Sequence, residues 1–115
     1  MVSNLAQMEF VPVREEDASL TEEEIKELRP QMPDWKVVER NGAKQLEREF
    51  KFKNFVQALK FTNQVGELAE EKDHHPSLLT EWGKVTVTWW THKVGGLHPN
   101  DFLMAASTDE LYRKQ

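Results

Sequence analysis

Four histidines lie between positions 74 and 98 of this 115-residue chain, two of them adjacent: His74 and His75, closed by Pro76, then His92 and His98. Histidine is the side chain whose ordinary pKa, roughly 6.5, lets it give or take a proton near neutrality. Carboxylates stand close by in sequence at Glu70, Asp73 and Asp101. Proton transfer is the chemistry this set suggests. The residue before a proline is pushed toward extended geometry, so His75 is expected to end whatever helix precedes it. Two imidazoles are then presented where a helix stops, and the dipole there favours a positively charged ring. No fold requires two adjacent imidazoles, so His74 and His75 read as functional. His98, beside Pro99, reads as a helix cap or a surface residue.

A metal site is the competing chemistry. His74, His75 and His92 with Asp73 or Asp101 include the donor types for zinc or non-haem iron. Adjacent residues rarely aim both side chains at one ion, and neither a His-x-x-x-His nor a facial-triad spacing occurs. The expectation is therefore metal-free acid–base chemistry. The absence of cysteine removes a thiolate nucleophile, a disulfide and a cysteine-type zinc site from consideration.

Local signals say which elements must position these groups. Residues 1–19 show no clear period, Pro12 makes the apolar piece at 10–13 a poor central strand, and 15–17 is a charge run. They are expected to form a partly ordered arm without chemistry, ahead of a domain at 20–115. Thr21 and Glu24 predict a capping box with Leu20 stapled onto Ile25; Ile25 and Leu28 form the apolar edge, and Pro30 and Pro33 end that helix. Asn41 and Gly42 predict a hairpin over 35–52. A two-residue loop pairs Glu39 with Lys44, Val37 with Leu46, Lys36 with Glu47 and Trp35 with Arg48, a chemically sensible register. Trp35, Val37, Leu46, Phe50 and Phe52 then share one face. Arg48 also falls there, its stem expected to pack on Trp35 and its head to reach water.

Asn54 predicts the start of a helix over 54–71, with Gln57 placed to reach back. Phe55, Ala58, Leu59, Thr62, Val65, Gly66 and Ala69, widened by Phe61 and Leu68, form its apolar stripe. A second hairpin follows: a strand at 77–81, a turn at Trp82 and Gly83, and a strand at 84–91. Val85, Val87 and Trp89 point one way on it, and Thr86, Thr88, Trp90 and His92 the other. An exposed Trp90 suggests that a second subunit covers that face. Gly95 and Gly96 loosen the link to a last helix, with Pro99 at its first position, Asp101 in its first turn, and Phe102, Ala105 and Ala106 along its buried edge. The fold class is α+β: a two-layer sandwich, a four-stranded antiparallel sheet with helices packed on one face.

The composition narrows the partners. A formal charge of −5 argues against a nucleic-acid or acidic-membrane surface. No apolar run approaches a membrane span, and the N-terminus lacks the features of a secretion signal, so a cytoplasmic protein is expected.

Taken together, Glu70, three residues, His74-His75-Pro76, five residues, Trp82, nine residues, His92, eight residues and Asp101 resemble the signature of the pterin-4a-carbinolamine dehydratase family. The likeness extends upstream to Trp35 and the run at 50–55, and covers the chain from about residue 20 onward. It implies dehydration of 4a-hydroxytetrahydrobiopterin to quinonoid dihydropterin plus water, without cofactor or metal, in tetrahydrobiopterin recycling. By that likeness His74 and His92 transfer protons around C4a and N5, in an order left open, and His75 holds the pterin or its hydroxyl. Asp101 orients a histidine or accepts from the pterin ring, a purely structural role at the helix start being the other reading. Glu70 and Trp35 shape and line the site, Trp35 by stacking, and Asp73 and Pro76 complete the substrate-binding set. The implied partners are a pterin and further copies of the chain, as a homodimer or homotetramer. A pterin-binding or dimerisation module serving transcription, as in animal members, and a dehydratase of another pterin, such as one linked to molybdopterin metabolism, are the alternatives.

Overall fold

Asn41 and Gly42 both adopt positive φ, 54° and 79°, the conformation that matches the twist of a tight hairpin. They join β1 (Lys36–Arg40) to β2 (Ala43–Lys51) in the expected register, Lys36 opposite Glu47, Val37 opposite Leu46 and Glu39 opposite Lys44. Trp35 precedes the ladder and so has no strand partner. This computed structural model describes residues 5, 8–14 and 16–115. Residues 1–4, on which the reading of the N-terminus mainly rests, and Glu15 of the charge run lie outside the described residues.

The remaining elements are α1 (Glu22–Leu28), α2 (Phe55–Lys72), β3 (Ser77–Glu81), β4 (Lys84–Trp89) and α3 (Pro99–Arg113). The four strands form one antiparallel sheet in the order β1-β2-β4-β3. Thr21 and Glu24 make the reciprocal capping box of α1, a device worth roughly 1 kcal/mol. Asn54 caps α2 by accepting from the Gln57 N–H, and Gln57 reaches back one residue further than expected, to the Lys53 N–H.

Val85, Val87 and Trp89 are fully buried under the helices together with Leu46, Phe50, Phe61 and Phe102. On the opposite face Glu47 accepts from Thr88 and pairs with Arg40 at 2.8 Å, so that side of β2 and β4 is polar. The Arg40 guanidinium holds the Glu47 carboxyl below the usual range, helped by Thr88 and opposed by partial burial.

Three expectations are corrected. Strand β4 ends at Trp89, so the alternation no longer applies to Trp90 and His92. Trp90 is half-buried against the His92 ring, at 4.6 Å, where full exposure was expected. Second, α2 carries two neighbouring rows where one stripe was expected. Ala58, Phe61, Val65 and Ala69 are buried, whereas Phe55 and Leu59, each 44% exposed, stand on the solvent side with Val56.

Third, the Arg48 head is taken up by an ion pair on α3 and is only partly open to water, its side chain 19% exposed. Its Nη1 lies 2.7 Å from Asp109 Oδ1 on α3, and its guanidinium sits 4.4 Å from the Phe50 ring centroid. Trp35 Nε1 donates to both Asp109 oxygens, at 3.0 and 3.1 Å. Burial pushes the Asp109 carboxyl up, while these two donors hold it back. A charge pair is tolerable at such depth only because each member is paired and hydrogen-bonded.

Candidate active site

The first link is how α2 ends. Asp73 takes the left-handed conformation, φ 50° and ψ 45°. Its N–H turns back to the Glu70 carbonyl and the His74 N–H to the Ala69 carbonyl, at 3.3 and 3.0 Å. That pair of bonds is the Schellman closure of a helix, here with aspartate where glycine is commoner. The helix therefore ends at Lys72, three residues before His75, the position that Pro76 alone suggests. The closure turns His74 inward, where it is 7% exposed, and leaves His75 outside.

The second link is the start of α3, whose first turn gives successive residues separate tasks. His98 is the N-cap: its Nδ1 accepts from the Asn100 N–H at 3.0 Å. It is buried, so of the two expected readings the cap is right and the surface position is not. Because Nδ1 accepts, the ring proton resides on Nε2. Burial lowers the pKa of His98, against the raising effect of Asp101 and Asp17, in keeping with a neutral cap.

Asp101 is fully buried. Its Oδ2 accepts from the Thr91 hydroxyl at 2.8 Å and from the His98 N–H at 2.9 Å. Its Oδ1 lies 2.6 Å from His74 Nε2. With the carboxylate accepting, Nε2 carries the proton and Nδ1 is left as the basic nitrogen. The carboxylate thus does two jobs at once, closing the helix start and fixing one imidazole. Aromatic rings hold the other sides of that imidazole: Trp89 at 5.8 Å, and Phe10 edge-on at 5.9 Å.

His74 opens onto a cavity of about 660 Å³ lined also by His75, His92 and Asp73. Trp90 and Thr91 form part of its wall, Lys72 and Lys93 carry the nearby cations, and Phe10, Pro12 and Val13 of the arm contribute as well. His92 lies in a short 3₁₀ turn, exposed, its ring against Trp90 and without a hydrogen-bond partner among the described residues. His75 is also exposed, its Nε2 2.5 Å from Glu70 Oε2. Three imidazoles in different settings thus border one space: one buried and carboxylate-held, one tethered at the surface, one free. Among the described residues no three His, Asp or Glu side chains are grouped so as to hold a metal ion.

Of the residues singled out from sequence, His74, His75, His92 and Asp73 line the cavity. Asp101 and Glu70 do not; each touches a histidine that does. Pro76 only follows the pair. Trp35 is elsewhere: it is 1% exposed and hydrogen-bonded to Asp109, so stacking on a ligand in this cavity is not open to it. Trp82 sits 74% exposed on the turn of the second hairpin, at the end away from the histidines. Sequence reasoning missed Phe10, Trp90 and Asn100. The only local hint was that Asn100 lies between Pro99 and Asp101, in a helix's first turn.

The structure thus presents a histidine-lined cavity, one imidazole backed by a buried carboxylate, on a small α+β sandwich. The chain belongs to the pterin 4 alpha carbinolamine dehydratase family, whose model matches residues 18–111. It is 54% identical over 114 residues to an inferred pterin-4-alpha-carbinolamine dehydratase of Microcystis aeruginosa, covering 99% of this chain and 98% of that one. It is 53% identical over 112 residues to the corresponding Nitrosococcus oceani protein, covering 97% and 99%. Among solved structures, a Brucella melitensis transcriptional coactivator/pterin dehydratase aligns with a TM-score of 0.74 at 34% identity, over 82% of this chain and 98% of that one. A pterin dehydratase-like RuBisCO assembly factor of the alpha-carboxysome shares the fold, with a TM-score of 0.58 at 21% identity, over 69% and 89%. Among the described residues no helix is long and apolar enough to cross a membrane.

Proposed function

We propose that this protein dehydrates 4a-hydroxytetrahydropterin, with His74 as the base and His92 as the acid. The observation that carries the reading is the buried His74–Asp101 pair opening onto a histidine-lined cavity. In the reaction the C4a–O bond breaks as the N5 lone pair forms the new C=N bond. N5 gives up its proton and the departing hydroxyl takes one, leaving quinonoid dihydropterin and water. No electrons are exchanged, so the protein's task is to place one proton acceptor and one proton donor. His74 Nδ1 suits acceptance, since Asp101 stabilises the imidazolium that results. His92, exposed and unattached, suits delivery to the hydroxyl. His75, tethered to Glu70, holds the ring or the hydroxyl, with Asp73 beside it. Each positioned proton-transfer group typically contributes about 10²–10⁴-fold.

In this reading the substrate is the carbinolamine left by an aromatic amino-acid hydroxylase, and dehydration returns it to cytoplasmic tetrahydrobiopterin recycling. A pure binding module would have no need of a buried imidazole held in one tautomer by a carboxylate. The test is stopped-flow decay of the 4a-carbinolamine. The protein should speed decay over buffer, and EDTA should leave the rate unchanged. No acceleration, or activity lost in EDTA and restored by one metal, would contradict the proposal.

A second copy of the chain belongs to the same proposal, on a different surface from the one expected. Phe55, Val56 and Leu59 on α2 are large apolar groups left open, Val56 at 75% exposure, and such a ridge is a common site of association. Light scattering at micromolar concentration should give a multiple of the chain mass; the mass of one chain would count against it.

A further inference from the structure

The N-terminal arm is held to the cavity by one side chain of α3. Asn100 is fully buried. Its Oδ1 accepts from the Val11 N–H at 3.1 Å, and its Nδ2 donates to the Val11 carbonyl at 2.5 Å. One carboxamide therefore satisfies both backbone groups of a residue 89 positions away, as a neighbouring strand would. Aspartate lacks the donor and serine lacks the reach, so asparagine is suited to the task. The residue so gripped lies between the arm's contributions to the cavity wall, Phe10 on one side and Pro12 and Val13 on the other. Phe10 also meets the His74 ring edge-on, and Lys72 Nζ lies 5.8 Å from its ring centroid.

We infer that residues 10–13 are a strap forming one wall of the substrate site, with Phe10 as a substrate-binding residue and Asn100 as the positioning residue that latches it. The inference rests on the reading of the cavity as a pterin site and adds which residues grip the ring. His74 and His92 each carry an aromatic neighbour that also borders the cavity, Phe10 for one and Trp90 for the other. Aromatic surfaces beside the proton-transfer groups fit a planar heterocycle with polar edges. A strap that supplies contact area to the bound ring, without taking part in the chemistry, acts on affinity more than on turnover.

The test combines kinetics with two measurements that need no turnover. Phe10→Ala should raise KM about 10-fold with kcat within about twofold, since a buried aromatic contact is worth about that factor. Phe10→Leu should recover most of the loss. Asn100→Ala should give the same split, and the double variant should be no worse than the worse single, because both changes remove one device. Equilibrium dialysis with 7,8-dihydrobiopterin should show matching losses of affinity. Trypsin should cut after the exposed Arg14 faster in Asn100→Ala than in wild type. If wild type is active but the variants keep wild-type KM and affinity, or if their effects simply add, the strap is overturned and the dehydratase reading stands. If wild type neither binds dihydrobiopterin nor speeds dehydration, the pterin reading is overturned and the strap's role in substrate binding falls with it. Should Asn100→Ala not fold by circular dichroism, the two Phe10 variants decide the matter alone.

Discussion

Replacing His74 with alanine should lower kcat by about 10²–10⁴-fold while the pterin KM changes only severalfold. Loss in kcat with affinity retained is the pattern for a group whose main interaction forms in the transition state. The imidazole is buried, bonded to Asp101 and packed between Trp89 and Phe10, so alanine also leaves a small void and a carboxylate oxygen without its partner. His74→Gln, which keeps a hydrogen-bonding group toward Asp101, separates the two effects: it should restore stability and not kcat. His92→Ala should lower kcat at little cost in stability, since that ring is exposed. His75→Ala should raise KM more than it lowers kcat, as expected of a holding group. Stopped-flow decay of the carbinolamine reads the first quantities and urea denaturation the stability. Wild-type kcat in His74→Ala would remove it from the mechanism.

The second large effect is at Asp101. Its oxygens accept from Thr91, from the His98 N–H and from His74, with the carboxylate wholly buried. Alanine there strands buried donors, each costing about 1–3 kcal/mol, so Asp101→Ala should lose about 3 kcal/mol or more of stability along with activity. Asp101→Asn is the sharper variant. An amide has one accepting oxygen, and its nitrogen cannot receive from Thr91 and His98 on one side or from His74 on the other. Either the helix cap or the His74 tautomer must yield. We expect kcat to fall by at least about 10²-fold, with the pterin KM little changed, because a histidine held in the wrong tautomer loses its role as base. If Asp101→Asn kept wild-type kcat and lost only stability, the negative charge beside His74 would be dispensable to the reaction.

The parts of this architecture legible in the sequence are those specified by neighbours along the chain. Asn41 and Gly42 determine a turn, and the turn determines the register of β1 against β2. Thr21 with Glu24 determines where α1 begins. The histidine pair before Pro76 marks a helix end, and Asp101 reads from its position as a helix-start carboxylate; its role as orienter of a histidine comes only from the family resemblance. The structure places the carboxylate in contact with both features.

What was not legible depends on partners far away. Trp35 is as plausible beside a ligand as in a core until Asp109, 74 residues on, claims its indole N–H. Asn100 has no signature of its own, since its partner lies in an arm without periodicity. The burial of Trp90 is not legible because the two-residue alternation holds only to Trp89, where β4 ends. The α2 stripe merged two rows because Phe55 and Leu59 are apolar whichever way they face, and only the sheet decides which row it covers.

The central claim, that two histidines move the protons of a pterin dehydration, is tested most directly by one measurement. Stopped-flow decay of 4a-hydroxytetrahydropterin is followed with wild type and with the double variant His74→Ala plus His92→Ala, both shown to be folded by circular dichroism. The account predicts fast decay with wild type and decay close to the buffer rate with the double variant, since neither proton then has a positioned partner. A folded double variant that retains the wild-type rate would contradict it.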